Sequence, residues 1–180
     1  EDTILQSDII LIAIKPDQIP EVLGSVKELL SDKIVISLAA GMFYDTYELL
    51  LLPKTHHLSI IPNMPVSVCE GIILWEQHNS LNAAEAALVE ALLSSVALIE
   101  KLDSEQMTIG ATVAGCGPAF AAMFVEAVGD GAVAYGLPRE AGYRLCEQML
   151  TGTAKQLMVQ GIHPAVLKDR VSAPKGTTIQ

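Results

Sequence analysis

Apolar positions in the first hundred residues fall into short, nearly unbroken runs. "DIILIAI" (8–14), "KIVISLAAG" (33–41), "HHLSII" (56–61) and "GIILWE" (71–76) lack the in–out alternation of a half-exposed strand. Such runs are how strands buried on both faces read, as in a parallel sheet flanked by helices. Lys15-Pro16 stops the first run and Pro62 the third. Between them, 17–31 reads as a helix, and Asp45 with Glu48 predicts a capping box for a short helix through Leu52. Asn82 with Glu85 opens a further helix at 83–95, and 96–100 reads as a last strand. Strand and helix alternate throughout, which predicts an α/β half.

The pattern changes near residue 102. Asp103 with Gln106 caps a helix, and everything onward reads as helical, over roughly 104–113, 118–135, 138–160 and 164–171. Gly136 followed by Pro138 punctuates one junction, and Gly161 followed by Pro164 the next. "GCGPAF" (115–120) superficially resembles a glycine fingerprint, but no strand precedes it, and it reads as a tight turn feeding the next helix. The domain expectation is therefore 1–101 as a partial cofactor-binding α/β domain and 102–180 as an all-α domain. No G-x-G-x-x-G occurs, so the phosphate-binding strand–turn–helix of a dinucleotide site is not among these residues.

Composition narrows the picture. The chain is 51% hydrophobic and 18% charged, enough for a core and too apolar for disorder. A net charge of −10 argues against nucleic acid and anionic membrane as partners. No apolar run reads as a membrane span of about 18 residues. The helix at 118–135 carries only Glu126 and Asp130 as charges, and a helix apolar nearly all round needs cover on most sides. A second subunit is the expected cover. Residues 139–180 hold 6 Lys/Arg against 3 Asp/Glu, which suits either a solvated face or an acidic small molecule. Cys69, Cys116 and Cys146 form no C-x-x-C, and the opening Glu1-Asp2 lacks a basic leader, so a reduced, cytoplasmic protein is expected. The neighbouring His56 and His57 would point to opposite faces of a strand, and no metal is expected there.

Two places can carry chemistry. Ala13-Ile14-Lys15-Pro16, Ala39-Ala40-Gly41 and Ile61-Pro62-Asn63 each follow a buried strand, and in open α/β sheets ligands bind beyond the strands' carboxyl ends. The closing Pro174-Lys175-Gly176-Thr177-Thr178 combines a rigid residue, a flexible one and two hydroxyls. It suits an anion nest of backbone N–H groups, or equally a plain helix terminator.

Together these residues resemble the pyrroline-5-carboxylate reductase family over essentially the whole chain. The family's A-V-K-P stands here as Ala13-Ile14-Lys15-Pro16, and its S-I-A-A-G as Ser37-Leu38-Ala39-Ala40-Gly41. M-P-N-T-P becomes Ile61-Pro62-Asn63-Met64-Pro65, and S-G-S-G-P-A-Y becomes Ala114 to Phe120. G-L-P-R matches Gly136 to Arg139. H-P-x-x-L-K-D-x-V-x-S-P-G-G-T-T-I appears as His163-Pro164, Leu167-Lys168-Asp169, Val171, Pro174, Gly176, Thr177, Thr178 and Ile179. Lys175 replaces a glycine and Ala173 a small hydroxyl residue; Met64 and Cys116 depart more mildly.

The resemblance implies a Rossmann-like domain followed by a helical dimerisation domain, in a homodimer or higher homo-oligomer. It implies reduction of an imino acid, 1-pyrroline-5-carboxylate, to proline with NADPH or NADH, and so a role in proline biosynthesis. It assigns Ala13, Ile14, Lys15, Pro16, Leu38, Ala39, Ala40 and Asn63 to the cofactor. It assigns Lys175, Gly176, Thr177 and Thr178 to the substrate, with the Thr178 hydroxyl on the ring nitrogen. Two alternatives stand beside it: a non-catalytic relative that dimerises through its helices, and a reductase acting on another imine or acid.

Overall fold

The apolar runs become the strands of one five-stranded sheet. Residues 2–180 are described by a computed structural model. The strands are β1 (Ile9–Ile12), β2 (Ile34–Ser37), β3 (His56–Pro62), β4 (Gly71–Glu76) and β5 (Ala97–Leu102), lying side by side in that order. β1, β2 and β3 run parallel, with Ile12 beside Ser37 and Ser37 beside Ser59. β4 is antiparallel to β3, and β5 is parallel to β4. The sheet is thus mixed, not wholly parallel as the apolar runs predict. The link from Asn63 to Glu70 holds only one 3-10 stretch, Met64–Val68, and a parallel crossover needs a dozen residues or more. The chain therefore turns back.

Connection handedness then distributes the helices. α2 (Ile19–Val26) and α3 (Tyr44–Leu50) link successive parallel strands and share one face of the sheet, packing Ile19, Leu23 and Tyr47 with Ile12 and Val35. α4 (Ala83–Leu93) links β4 to β5, which run the other way. A right-handed crossover in the same lateral direction must then use the opposite face. Val89 accordingly packs there with Ile34, Ile36, Leu58, Ile60, Ile73 and Trp75. A short α1 (Asp2–Leu5) precedes β1. α2 is shorter than the 17–31 expected, because 3-10 stretches at Pro16–Gln18 and Lys27–Leu30 flank it.

The remaining helices are α5 (Ser104–Ala111), α6 (Gly117–Ala134), α7 (Arg139–Gln160) and α8 (Pro164–Arg170). The tight turn expected at 115–120 is not formed. Thr112–Cys116 is a π-helical turn, and helical hydrogen bonding runs on from Ser104 to Ala134. Pro118 explains it: proline has no N–H and its ring crowds the carbonyl four residues back, so the ladder widens instead of breaking. That 31-residue helix is long and apolar enough to cross a membrane by length and composition, which corrects the expectation that no such stretch exists.

By packing, the chain divides into Glu1–Pro118 and Ala119–Gln180, so α5 belongs with the sheet. Met107 and Ala114 pack on Leu74 there. Helix formation itself begins at Ser104.

In the second unit α6 and α7 approach closely through Gly129, where an added Cβ would lie 2.2 Å from the Tyr143 ring. Arg139 reinforces the pair, donating to Asp130 Oδ1 at 2.6 Å and to the Tyr143 hydroxyl at 3.1 Å. Gly129→Ala is expected to cost about 1–3 kcal/mol by overpacking, read as a lowered denaturant midpoint. Gly136 and Gly161 take φ of +93° and +60°, as helix-ending glycines do. Phe120, Met123, Leu145, Met158 and Val159 stand more than 60% exposed in the single chain, large apolar side chains left without cover.

Candidate active site

Because β1, β2 and β3 are parallel, their carboxyl ends share one edge of the sheet. The structure brings Ala13, Ile14, Lys15 and Pro16, then Leu38, Ala39 and Ala40, then Asn63, to that edge. Leu38 N–H donates to Ile12 O at 3.0 Å and joins the first two tips. Ala13 through Pro16 are exposed, as is Ala40, while Ala39 is buried. Gly41 follows with φ +79°, a conformation that suits glycine.

Asn63 has a double structural duty that its position in the sequence does not announce. Its Oδ1 accepts from Ile72 N–H at 2.8 Å, and its Nδ2 donates to Ala114 O at 3.0 Å. Ala114 is the carbonyl that Pro118, four residues on, cannot bond. The Asn63 side chain therefore closes the π-helical turn onto β4.

Beneath the edge lies a polar layer that the sequence reading missed. Ser37, His57, Ser59 and Glu76 are all buried. Ser37 Oγ accepts Ala39 N–H at 3.2 Å and hydrogen-bonds the Tyr47 hydroxyl. Burial pushes the Tyr47 phenol above its ordinary pKa, so the hydroxyl stays protonated at neutral pH. His57 Nε2 meets Glu48 Oε1 at 2.8 Å, and His56 Nδ1 meets Glu85 Oε2 at 2.6 Å, on helices of opposite faces. The capping box expected from Asp45 and Glu48 is absent: Phe43 is the N-cap and makes no side-chain bond. Both Glu76 oxygens accept Tyr44 N–H instead, at 3.2 and 3.1 Å. A distant carboxyl thus satisfies that helix end, and Glu48 is spent on His57. The available signal was polar residues at 37, 57, 59 and 76 interrupting or ending apolar runs.

The closing segment forms two successive turns. Gly176 N–H donates to Ala173 O at 2.9 Å, and Ile179 N–H to Gly176 O at 3.3 Å. Pro174 and Lys175 are the central residues of the first turn, and Lys175 has φ +59°. Proline followed by a left-handed residue is type II turn chemistry, where glycine is favoured. An added Cβ at Gly176, where the first turn ends and the second begins, would lie 3.1 Å from Ala173 O, a contact that favours glycine there as well. Thr177 and Thr178 are the exposed centre of the second turn. Lys175→Gly is expected to raise stability by roughly 0.5–1 kcal/mol, the left-handed strain relieved less the added unfolded-chain freedom. A urea midpoint that falls on this substitution would contradict it.

Comparison with known proteins bears on both places. Residues 104–180 match the family described as pyrroline-5-carboxylate reductase dimerisation, and residues 1–41 match NADP oxidoreductase coenzyme F420-dependent. The chain is 43% identical to a pyrroline-5-carboxylate reductase of Treponema pallidum, over all of this chain and 70% of that protein. It is 36% identical to pyrroline-5-carboxylate reductase 3 of Macaca fascicularis, over 98% of this chain and 65% of that protein. The chain thus spans about two thirds of the length of these relatives. Among solved structures it superposes on the Plasmodium falciparum pyrroline carboxylate reductase with NADP bound, with a TM-score of 0.90 and 29% identity, covering 99% of this chain and 68% of that one. The Coxiella burnetii pyrroline-5-carboxylate reductase gives 0.87 and 31%, covering 98% and 66%. Identity of this level along the full sheet and the helical region leaves one assignment: this chain belongs to the pyrroline-5-carboxylate reductase family.

Proposed function

We propose that this chain, as part of its full-length protein, reduces 1-pyrroline-5-carboxylate to L-proline with NADPH or NADH, a step of proline biosynthesis. The observation that carries the reading is the match, over the whole chain, to relatives named for that activity, at up to 43% identity. The division of labour follows the two regions: residues 1–101 serve the cofactor, and 102–180 serve substrate and dimerisation. The exposed apolar face of α6 and α7, inside the region matching the dimerisation family, is read as the surface between two copies in a homodimer or larger homo-oligomer, and not as a membrane span. A chain with a net charge of −10 suits neither nucleic acid nor anionic lipid as its main partner, and the cytoplasm is the proposed compartment.

The sheet edge fits a nicotinamide portion. Three strand tips lie side by side there, the small, exposed Ala13 and Ala40 leave the backbone approachable, and Gly41 turns the chain away. Ala13, Ile14, Lys15 and Pro16, with Leu38, Ala39 and Ala40, would hold it, while Asn63 keeps the neighbouring tip in place. When bound, the nicotinamide supplies the hydride. The chain's own task is placement and charge. In the closing turns Gly176 N–H already bonds Ala173 O. The donors offered to the substrate carboxylate are therefore the N–H groups of Thr177 and Thr178, with Lys175 adding a nearby positive charge. The Thr178 hydroxyl donates to the ring nitrogen, and as the C=N carbon accepts hydride the nitrogen takes up one proton drawn from solvent water, so that the product is the neutral secondary amine. A threonine hydroxyl does not ionise usefully near neutrality, so it acts as donor and positioner. Alignment of the reacting carbons can contribute several kcal/mol.

The test is NAD(P)H oxidation by the full-length protein with 1-pyrroline-5-carboxylate, with proline measured as product. Stoichiometric proline is expected. Folded, dimeric protein without turnover would sink the reading in favour of the non-catalytic alternative.

A further inference from the structure

We propose that Tyr47 is a positioning residue for the cofactor-holding turn Leu38–Ala40, acting through the hydroxyl of Ser37. The inference rests on the reading of that turn given above. Ser37 is the last residue of β2 and is 1% exposed, the one polar side chain in an otherwise apolar strand. Its Oγ accepts the N–H of Ala39, two residues on, at 3.2 Å. Serine bonds of this local kind draw the backbone out of the extended ladder into a turn. A lone serine rotor would hold such a bend loosely. Here the Ser37 hydroxyl also bonds the Tyr47 hydroxyl, which removes its freedom.

Tyr47 is in turn fixed from two sides. Its ring, 1% exposed, packs among Ile12, Ile19, Leu23, Val35 and Leu51. Its helix is tied to the sheet at Tyr44 N–H by Glu76 and at Glu48 by His57. Phenylalanine would fill the same apolar pocket. The phenol oxygen is therefore not explained by packing, and a buried hydroxyl costs free energy unless bonded. What the oxygen adds is a hold on Ser37, and through it on Ala39, at the strand tip between Leu38 and the exposed Ala40. Leu38 N–H is meanwhile bonded to Ile12 O at 3.0 Å, so the tip is held from β1 and from α3 together.

The experiment compares Tyr47→Phe, Ser37→Ala and the double variant in the full-length protein. It measures NADPH dissociation by fluorescence titration, the KM for each substrate, kcat at saturating NADPH, and Tm. Each single change is expected to weaken NADPH binding about three- to tenfold, the worth of one hydrogen bond. kcat at saturation and the KM for 1-pyrroline-5-carboxylate should stay within about twofold, because packing is preserved. The double variant should be no worse than the weaker single one, since both cut the same chain of bonds. Tyr47→Phe with unchanged NADPH affinity overturns the proposal, as do losses that multiply in the double variant. So does a fall in Tm with every kinetic constant moving together, which marks a merely structural role. Wild-type protein that binds neither NADPH nor NADH would defeat the strand-tip reading itself, and this inference with it.

Discussion

Thr178→Ala is expected to cut turnover by roughly 10- to 100-fold while the KM for NAD(P)H stays within about twofold. The size follows from what the hydroxyl is asked to do. Hydride addition to C=N develops electron density on nitrogen, and a donor placed there is worth most in the transition state, where that density is largest. Loss of a fixed donor of this kind costs about 1.5–3 kcal/mol, which is the stated range of rates. Backbone N–H groups of the same turn survive the substitution, so carboxylate binding should weaken little. Thr178 is an exposed residue at the centre of a surface turn, so folding should not suffer. Thr178→Ser keeps the donor and should recover most of the activity. Stopped-flow hydride transfer separates this from slow product release. Equal losses in turnover and cofactor affinity would contradict the role.

Glu76→Ala is expected to destabilise the sheet unit by about 3 kcal/mol, the cost of stranding buried polar groups. Glu76 is fully buried at the end of β4. Its two oxygens accept Tyr44 N–H, and one of them also accepts the Ser104 hydroxyl at 2.6 Å. One carboxyl therefore serves the first residue of α3 and the first of α5. Alanine would leave both donors without their acceptor and open a void the size of the lost side chain. Against a typical domain stability of about 5–15 kcal/mol, the loss is a large share. Glu76→Gln keeps one acceptor but turns an NH2 toward the donors, so an intermediate loss is expected. Chemical denaturation monitored by the fluorescence of Trp75, the neighbouring residue on β4, reads the change directly. A loss under about 1 kcal/mol would mean that water replaces the carboxyl at both helix ends.

Several elements were legible because their causes are local. Asn82 and Glu85 form the reciprocal cap expected of them, with Asn82 Oδ1 accepting from Ala84 and Glu85 N–H at 3.0 Å. The helix-ending glycines at 136 and 161 take positive φ, and β4 matches its expected bounds. Three expectations failed, two of them through a partner far away in sequence and the third through the length of a connection. Asp45 and Glu48 have capping spacing, but a carboxyl 32 residues beyond Tyr44 occupies that helix end. Gly115 to Phe120 have turn composition, but a neighbouring side chain lets the helix absorb its proline: Asn63 takes up the Ala114 carbonyl 51 residues away. The apolar runs suggested one strand direction, but an eight-residue link cannot make a crossover.

The candidate site divides the same way. Motifs in order along the chain identified the family and the strand tips, since periodicity, proline and glycine act within a few residues of themselves. Spacing alone could say that 13–16, 38–40 and 63 each end a strand. Parallel pairing of β1, β2 and β3 put those ends on one edge. The hold of Tyr47 on Ser37, and of Glu76 on two helices, came only from the folded chain. Hydrogen bonds between residues distant in sequence exist only once packing has brought their partners together and excluded the water that would otherwise satisfy them.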